Sequence, residues 1–74
     1  PPAWAGPLDA DHAERLADIH AGAFARPWTA LDFEGFLADR AVVADGLFWG
    51  EHPEPLGFAL SRRAGDEAEI LSVA

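Results

Sequence analysis

The apolar residues of this chain are spaced in patterns that predict both helices and strands, and the clearest pattern covers residues 56–74. Two apolar runs, 56–63 and 68–74, flank a short segment of glycine and acidic residues, as in a β-hairpin. Gly65 can adopt the positive φ of a tight reversal, and Asp66 can hydrogen-bond to its own backbone there. Because the second run has apolar residues at both alternating sets of positions, we expect it to be a buried, central strand.

Two helical patterns precede the hairpin, and each begins at a capping residue. Asp9 is the predicted N-cap of a helix over residues 10 to about 24, which Pro27 brings to an end. Thr29 is the predicted N-cap of a second helix that extends to about residue 39, and Asp32 completes its capping box. The apolar side of this second helix is predicted to consist of Leu31, Phe33, Phe36 and Leu37.

The remaining segments complete an α+β fold class. Residues 1–8 contain three prolines and a glycine, so they are predicted to be extended. The Asp45-Gly46 pair is a turn signal, and the apolar run after it, 47–50, is predicted to be a strand. With residues 51–55 as a loop, the prediction is a short extended segment, two helices and a three-stranded antiparallel meander within one domain.

The composition excludes several classes of partner. Half of the 74 residues are apolar, which is typical of a globular domain. The net charge of −8, from 5 basic and 13 acidic residues, opposes binding to nucleic acid or to anionic lipid. There is no cysteine, and therefore no disulfide or thiolate metal site. No apolar run approaches the roughly 20 residues of a membrane span, so we expect no membrane association and a cytoplasmic location.

Few residues of this chain form a recognisable catalytic pattern. There is no glycine-rich phosphate loop, and neither serine stands in a G-x-S-x-G turn. His20 lies on the apolar stripe of the first helix, where it is either a packed histidine or a functional one. Trp28 either fixes the angle between the helices by packing on Phe33, or lines a groove, and these two roles are compatible.

One acid stands out because of its surroundings. Glu69 lies within the apolar final run, where burial would raise its pKa toward the range of a general base. The alternative is that Glu69 lies on the solvated face of the hairpin and pairs with Arg62 or Arg63 across it.

Several short motifs follow the predicted order of elements: Ala23-Phe24, Pro27-Trp28-Thr29, Phe33, Phe36-Leu37 and the whole of residues 57–74. With that order, these motifs resemble the GCN5-related N-acetyltransferase (GNAT) superfamily. More narrowly, the chain is similar to the N-terminal half of bacterial RimI-type ribosomal-protein-alanine N-acetyltransferases.

The resemblance implies a transfer of acetyl from acetyl-CoA to the amine of a protein N-terminus, such as that of a ribosomal protein. Val73 and Ala74 match the first two positions of a tripeptide whose backbone binds the pantetheine arm of acetyl-CoA. Phe24 and Trp28 would form one wall of the acceptor groove. Glu69 matches a glutamate base that some members carry, although RimI-type members are usually assigned a base further along the chain.

Other parts of the family pattern have no counterpart in these 74 residues, including the pyrophosphate-binding loop and a tyrosine acid. Residues 1–74 are therefore expected to be the N-terminal portion of one GNAT domain, inactive alone. The predicted partners of the final strand are the C-terminal half of the domain or a second copy. The alternative is a self-contained α+β interaction module that binds a partner by β-augmentation.

Overall fold

The computed structural model describes residues 2–74 as two helices packed on a four-stranded antiparallel sheet. The strands lie in the order of the chain, β1 to β4, and each pairs with the next. The elements are β1 (Ala3–Pro7), a 3₁₀ turn (Ala10–His12), α1 (Ala13–Ala23), α2 (Ala30–Ala38), β2 (Val42–Trp49), β3 (Gly57–Ala64) and β4 (Glu67–Val73). The predicted α+β class with two helices is confirmed. Within residues 2–74, no helix has the length and apolar character needed to cross a bilayer.

The predicted three-stranded antiparallel meander is present as β2, β3 and β4, and the N-terminal segment, predicted only to be extended, adds a fourth strand. β1 pairs antiparallel with β2, and Trp4 lies opposite Phe48 with the two rings stacked at 4.4 Å. The Trp4 indole also donates a hydrogen bond of 2.8 Å to the carbonyl of Gly50. The prolines of this segment restrict its backbone to an extended form, and the aromatic pair then fixes its register.

Both predicted capping motifs are confirmed. The Asp9 carboxylate accepts a hydrogen bond from the Asp11 amide as the chain enters the 3₁₀ turn. At α2, the Thr29 hydroxyl accepts from the Asp32 amide at 3.2 Å, and Asp32 accepts from the Thr29 amide at 2.9 Å. This reciprocal pair satisfies donors that a helix start otherwise leaves without partners.

The core lies between the helices and one face of the sheet. Its fully buried members are Ala13, Leu16, Phe33, Phe58 and Leu60. The Phe33 and Phe58 rings meet edge to face at 5.4 Å, which is a favoured aromatic geometry. Leu31, predicted to lie on the apolar side of α2, is instead 75% exposed.

The predicted turn at Asp45-Gly46 is wrong, because β2 continues through both residues. Gly46 is needed for close packing. A Cβ there would lie 2.7 Å from Leu8 Cδ2 and 2.9 Å from Phe48 Cε2. The glycine therefore lets the strand pass under Leu8 and the buried Phe48 ring.

We expect Gly46→Ala to lower the free energy of unfolding by about 1–3 kcal/mol, as overpacking of a filled site does. The matched control is Gly35→Ala in α2, where a Cβ would have nothing within 4 Å. That change should raise stability by up to about 1 kcal/mol, since alanine is the better helix former. Urea unfolding of both variants measures the two effects, and equal shifts of the same sign would contradict this explanation of Gly46.

The predicted hairpin of β3 and β4 is confirmed, with Gly65 at φ +63° in the turn. The expectation of a buried, central final strand is wrong for these residues. β4 lies at the edge of the sheet, and its Ile70 and Val73 side chains are 70% and 60% exposed. The apolar pattern on both faces of β4 is thus left without the neighbours that would bury it.

Candidate functional site

The elbow between α1 and α2 is built around a buried histidine. His20 is 3% exposed, and its Nδ1 accepts a hydrogen bond of 3.0 Å from the Trp28 amide. The imidazole stacks on Phe24 at 4.2 Å and on Trp28 at 4.8 Å. Because Nδ1 is an acceptor here, the neutral ring carries its proton on Nε2. Of the two interpretations of His20, the structure supports the packed one, and the histidine fixes where the second helix begins.

Trp28 fits both of the roles that the sequence left open, which are to fix the angle between the helices and to line a groove. Its ring contacts Phe33 edge to face at 5.7 Å, as expected for a residue that fixes the helix angle. It also lines a groove along α2 and is only partly buried. Phe24, its companion in the predicted acceptor wall, is 42% exposed and lies just beyond the end of α1. The structure therefore places both predicted acceptor residues at the elbow, on either side of His20.

The predicted cofactor residues, Val73 and Ala74, lie at the end of the edge strand. Ala74 exchanges two backbone hydrogen bonds with Phe58, at 2.9 and 3.1 Å. Since antiparallel ladders alternate, the N–H and C=O of Val73 point away from β3, toward the free edge. Gly57 permits this pairing, because a Cβ there would lie 2.8 Å from the Ala74 carbonyl oxygen.

A β-bulge interrupts β4 just before these residues. Leu60 lies opposite Ser72, but Ser61 lies opposite Ile70, so Leu71 is an extra residue. Sequence reasoning did not detect it. Bulges bend a strand, change the direction of its side chains and occur often beside active sites. Here the bulge turns Ser72 toward the core, where its hydroxyl is buried without a hydrogen-bond partner within the described residues.

Phe58 connects the elbow with the end of β4. Its backbone bonds to Ala74, while its ring is 6.5 Å from the His20 ring. The predicted acceptor residues and the predicted cofactor residues are thus separated by one strand and one aromatic layer.

Glu69 does not belong to this group. Its side chain is 64% exposed, so the prediction that it is buried is wrong for these residues. It lies directly opposite Arg62, with Oε1 3.9 Å from a guanidinium nitrogen. This is the solvated pairing that the sequence offered as the alternative. Glu69 lies on the face of the sheet that packs on the helices, but at an end of that face that the helices leave exposed to solvent. The role of Glu69 as a general base stays a prediction.

The face of the sheet opposite the helices, called here the helix-free face, is apolar and open. Four cross-strand neighbours define its centre and line a cavity of about 310 Å³. They are Ala5, Leu47, Ala59 and Val73. Trp49, on the same face of β2 as Leu47, is half exposed. Domains bury each apolar sheet face against a further layer, and residues 2–74 supply such a layer on one face only.

Comparison of the chain with models of known protein families, with curated proteins and with solved structures gives no match. Within residues 2–74, no three side chains of His, Asp or Glu are grouped so that they could hold a metal ion. The site is therefore described by its geometry alone. It consists of the unpaired backbone edge of β4 beside the bulge at Leu71, next to the aromatic elbow between α1 and α2.

Proposed function

We propose that residues 1–74 are the N-terminal portion of a GNAT-type N-acetyltransferase domain, with the acceptor wall at the elbow and the cofactor contact at the end of β4. The single observation that carries the proposal is the backbone of Val73. Its amide and carbonyl point to the free edge directly after the bulge at Leu71. A pantetheine arm presents amide groups, and these pair with such a backbone as a neighbouring strand does.

In this proposal, acetyl-CoA supplies the acetyl group, and the acceptor amine forms the new amide bond as the thiol of coenzyme A leaves. The residues of this chain bind and orient the reactants. Phe24 and Trp28 support the acceptor polypeptide, and Val73 aligns the pantetheine. Positioning of this kind lowers the entropic part of the barrier for a two-substrate reaction.

Two further features support a domain larger than the described residues. The helix-free face is apolar, and on the strands of the described residues Asp45 is the one acid that shares it. The edge of β4 carries neither proline nor lysine, and its protective features are two glutamates, Glu67 and Glu69, and the bulge at Leu71. A further strand beside β4 and a helical layer on the helix-free face would bury both surfaces.

The free edge also favours the second candidate function, an interaction module that binds an extended peptide beside β4. In that case main-chain hydrogen bonds supply affinity, and the exposed Ile70 and Val73 side chains supply selectivity. The two functions differ in their need for acetyl-CoA.

We expect Trp28→Ala, in the gene product that carries these residues, to raise the KM for an acceptor peptide about tenfold and to leave the KM for acetyl-CoA unchanged. A tenfold change corresponds to about 1.4 kcal/mol of lost acceptor contact. Trp28→Phe, which keeps a ring stacked on His20, is the control for folding of the elbow. Steady-state kinetics with each substrate varied in turn measures both constants. A raised KM for acetyl-CoA with an unchanged acceptor KM would remove Trp28 from the acceptor wall.

A further inference from the structure

A groove of about 450 Å³ runs along one side of α2, separate from the cavity on the helix-free face. Its apolar lining is Trp28, Leu31 and Phe36, with Gly35 between them. Leu31 and Gly35 are four residues apart and share one side of α2, whereas Trp28 precedes the N-cap Thr29. The Trp28 and Phe36 rings lie 4.8 Å apart and form its aromatic wall.

Two residues of this groove, Leu31 and Gly35, make little packing contact with the rest of the chain. Leu31 is 75% exposed in the isolated chain. Gly35 has an ordinary helical backbone and open space around its Cβ position, so neither close packing nor a positive φ requires a glycine. A glycine inside a helix is nevertheless unfavourable relative to alanine. Together, Leu31 and Gly35 form an open apolar surface beside the aromatic wall, called here the apolar step.

Carboxylates lie at both ends of the apolar step. Asp32 accepts from the Thr29 amide through Oδ2, and Asp39 accepts from the Ala41 amide through Oδ1. Each carboxylate is thereby held in place, Asp32 in an exposed position and Asp39 beside Arg62, which also lines the groove. Asp39 Oδ2 is 3.8 Å from Arg62, and both side chains are about 40% exposed. Exposed pairs of this kind contribute little stability, so an incoming cation can replace Arg62 at Asp39.

We infer that the α2 groove binds a short protein segment in which an apolar side chain is flanked by lysine or arginine. The apolar side chain would lie on Gly35 between Leu31 and Phe36, and the flanking cations would pair with Asp32 and Asp39. The net charge of −8 favours encounter with such a segment. Trp28 also belongs to the proposed acceptor wall, but binding in this groove needs neither acetyl-CoA nor acetyl transfer, so a peptide without a free N-terminus tests it apart from the proposed function.

The probe is the blocked peptide acetyl-Gly-Lys-Leu-Lys-Gly-amide, which has no free N-terminal amine. Titrated into the ¹⁵N-labelled chain, it should give saturable shifts at Leu31, at Gly35 and at the Trp28 indole, with a Kd of about 0.1–1 mM. Binding should weaken as salt is raised, because the ion pairs are exposed. The counterpart with glutamate in place of lysine should not bind. No saturable shift at millimolar peptide, shifts confined to another surface, or equal binding of the acidic peptide would each overturn the inference.

Matched variants separate binding from stability. Gly35→Ala and Gly22→Ala both add a methyl group to a helix at a position with nothing within 4 Å, so both should raise the midpoint of urea unfolding. Only Gly35→Ala should weaken peptide binding, about fivefold. Asp32→Asn should weaken it by a similar factor, whereas Glu34→Gln, outside the groove lining, should not. Equal Kd values for the two alanine variants would show that the step at Gly35 does not bind the peptide.

Discussion

Phe33→Ala is expected to remove a large share of the free energy of unfolding of this chain, about 3–5 kcal/mol. Phe33 is fully buried, and its ring meets those of Phe58, His20 and Trp28 at 5.4 to 5.7 Å. Truncation of such a ring costs about 3–5 kcal/mol. A 74-residue domain has a total stability of about 4–11 kcal/mol at the usual value per residue.

The control for this prediction is Leu31→Ala, on the same helix two residues away. Leu31 is 75% exposed, so its loss should change stability by less than about 0.5 kcal/mol. Urea unfolding followed by circular dichroism measures both variants. If Phe33→Ala lost under 1 kcal/mol, the core would not be centred on this ring.

The second large effect is expected at the free edge of β4. We predict that the 74-residue chain self-associates at tens of micromolar by antiparallel pairing of β4 with the same strand of a second copy. The exposed Ile70 and Val73 side chains and the outward amides of β4 recruit another strand, although Glu67 and Glu69 share this edge. In a symmetric pairing the same strand is used by both partners.

Val73→Pro tests this pairing by removing one outward N–H group from the edge of β4. The Val73 N–H points outward, so proline removes a donor from the free edge and keeps the hydrogen bonds between Ala74 and Phe58. The variant should sediment as a monomer, with a dimer Kd raised more than about tenfold. Leu47→Lys, on the helix-free face but in a central strand, should leave the association unchanged. A monomeric parent chain whose Val73 amide exchanges freely would contradict the prediction.

Local signals in the sequence predicted the elements that depend on neighbouring residues. The capping box of Thr29 and Asp32 and the turn at Gly65 are set by side chains within three residues of each other, and all are present. The strand β1 was missed because its stability comes from Trp4 stacking on Phe48, 44 residues away in the chain. No local pattern encodes that contact.

The candidate site was predicted less completely than the fold, for a physical reason. Residue type singled out Trp28 and the family resemblance singled out Val73, but exposure depends on which elements are neighbours in space. Leu31 was expected on the apolar side of α2, and burial was one of two alternatives for Glu69, because of apolar residues beside them in sequence; both side chains are exposed. Gly46 was mistaken for a turn residue because close packing and a tight turn both require glycine.

The most direct test of the central claim is acetyl transfer by the gene product that carries these residues. With acetyl-CoA and a peptide with a free N-terminus, mass spectrometry should show one added acetyl group on the α-amine. The 74-residue chain alone should neither acetylate the peptide nor bind acetyl-CoA with a Kd near 10 μM, since two backbone contacts do not supply the roughly 7 kcal/mol involved. A reading frame that ends at Ala74, or a folded gene product that leaves the amine unmodified, would contradict the acetyltransferase assignment.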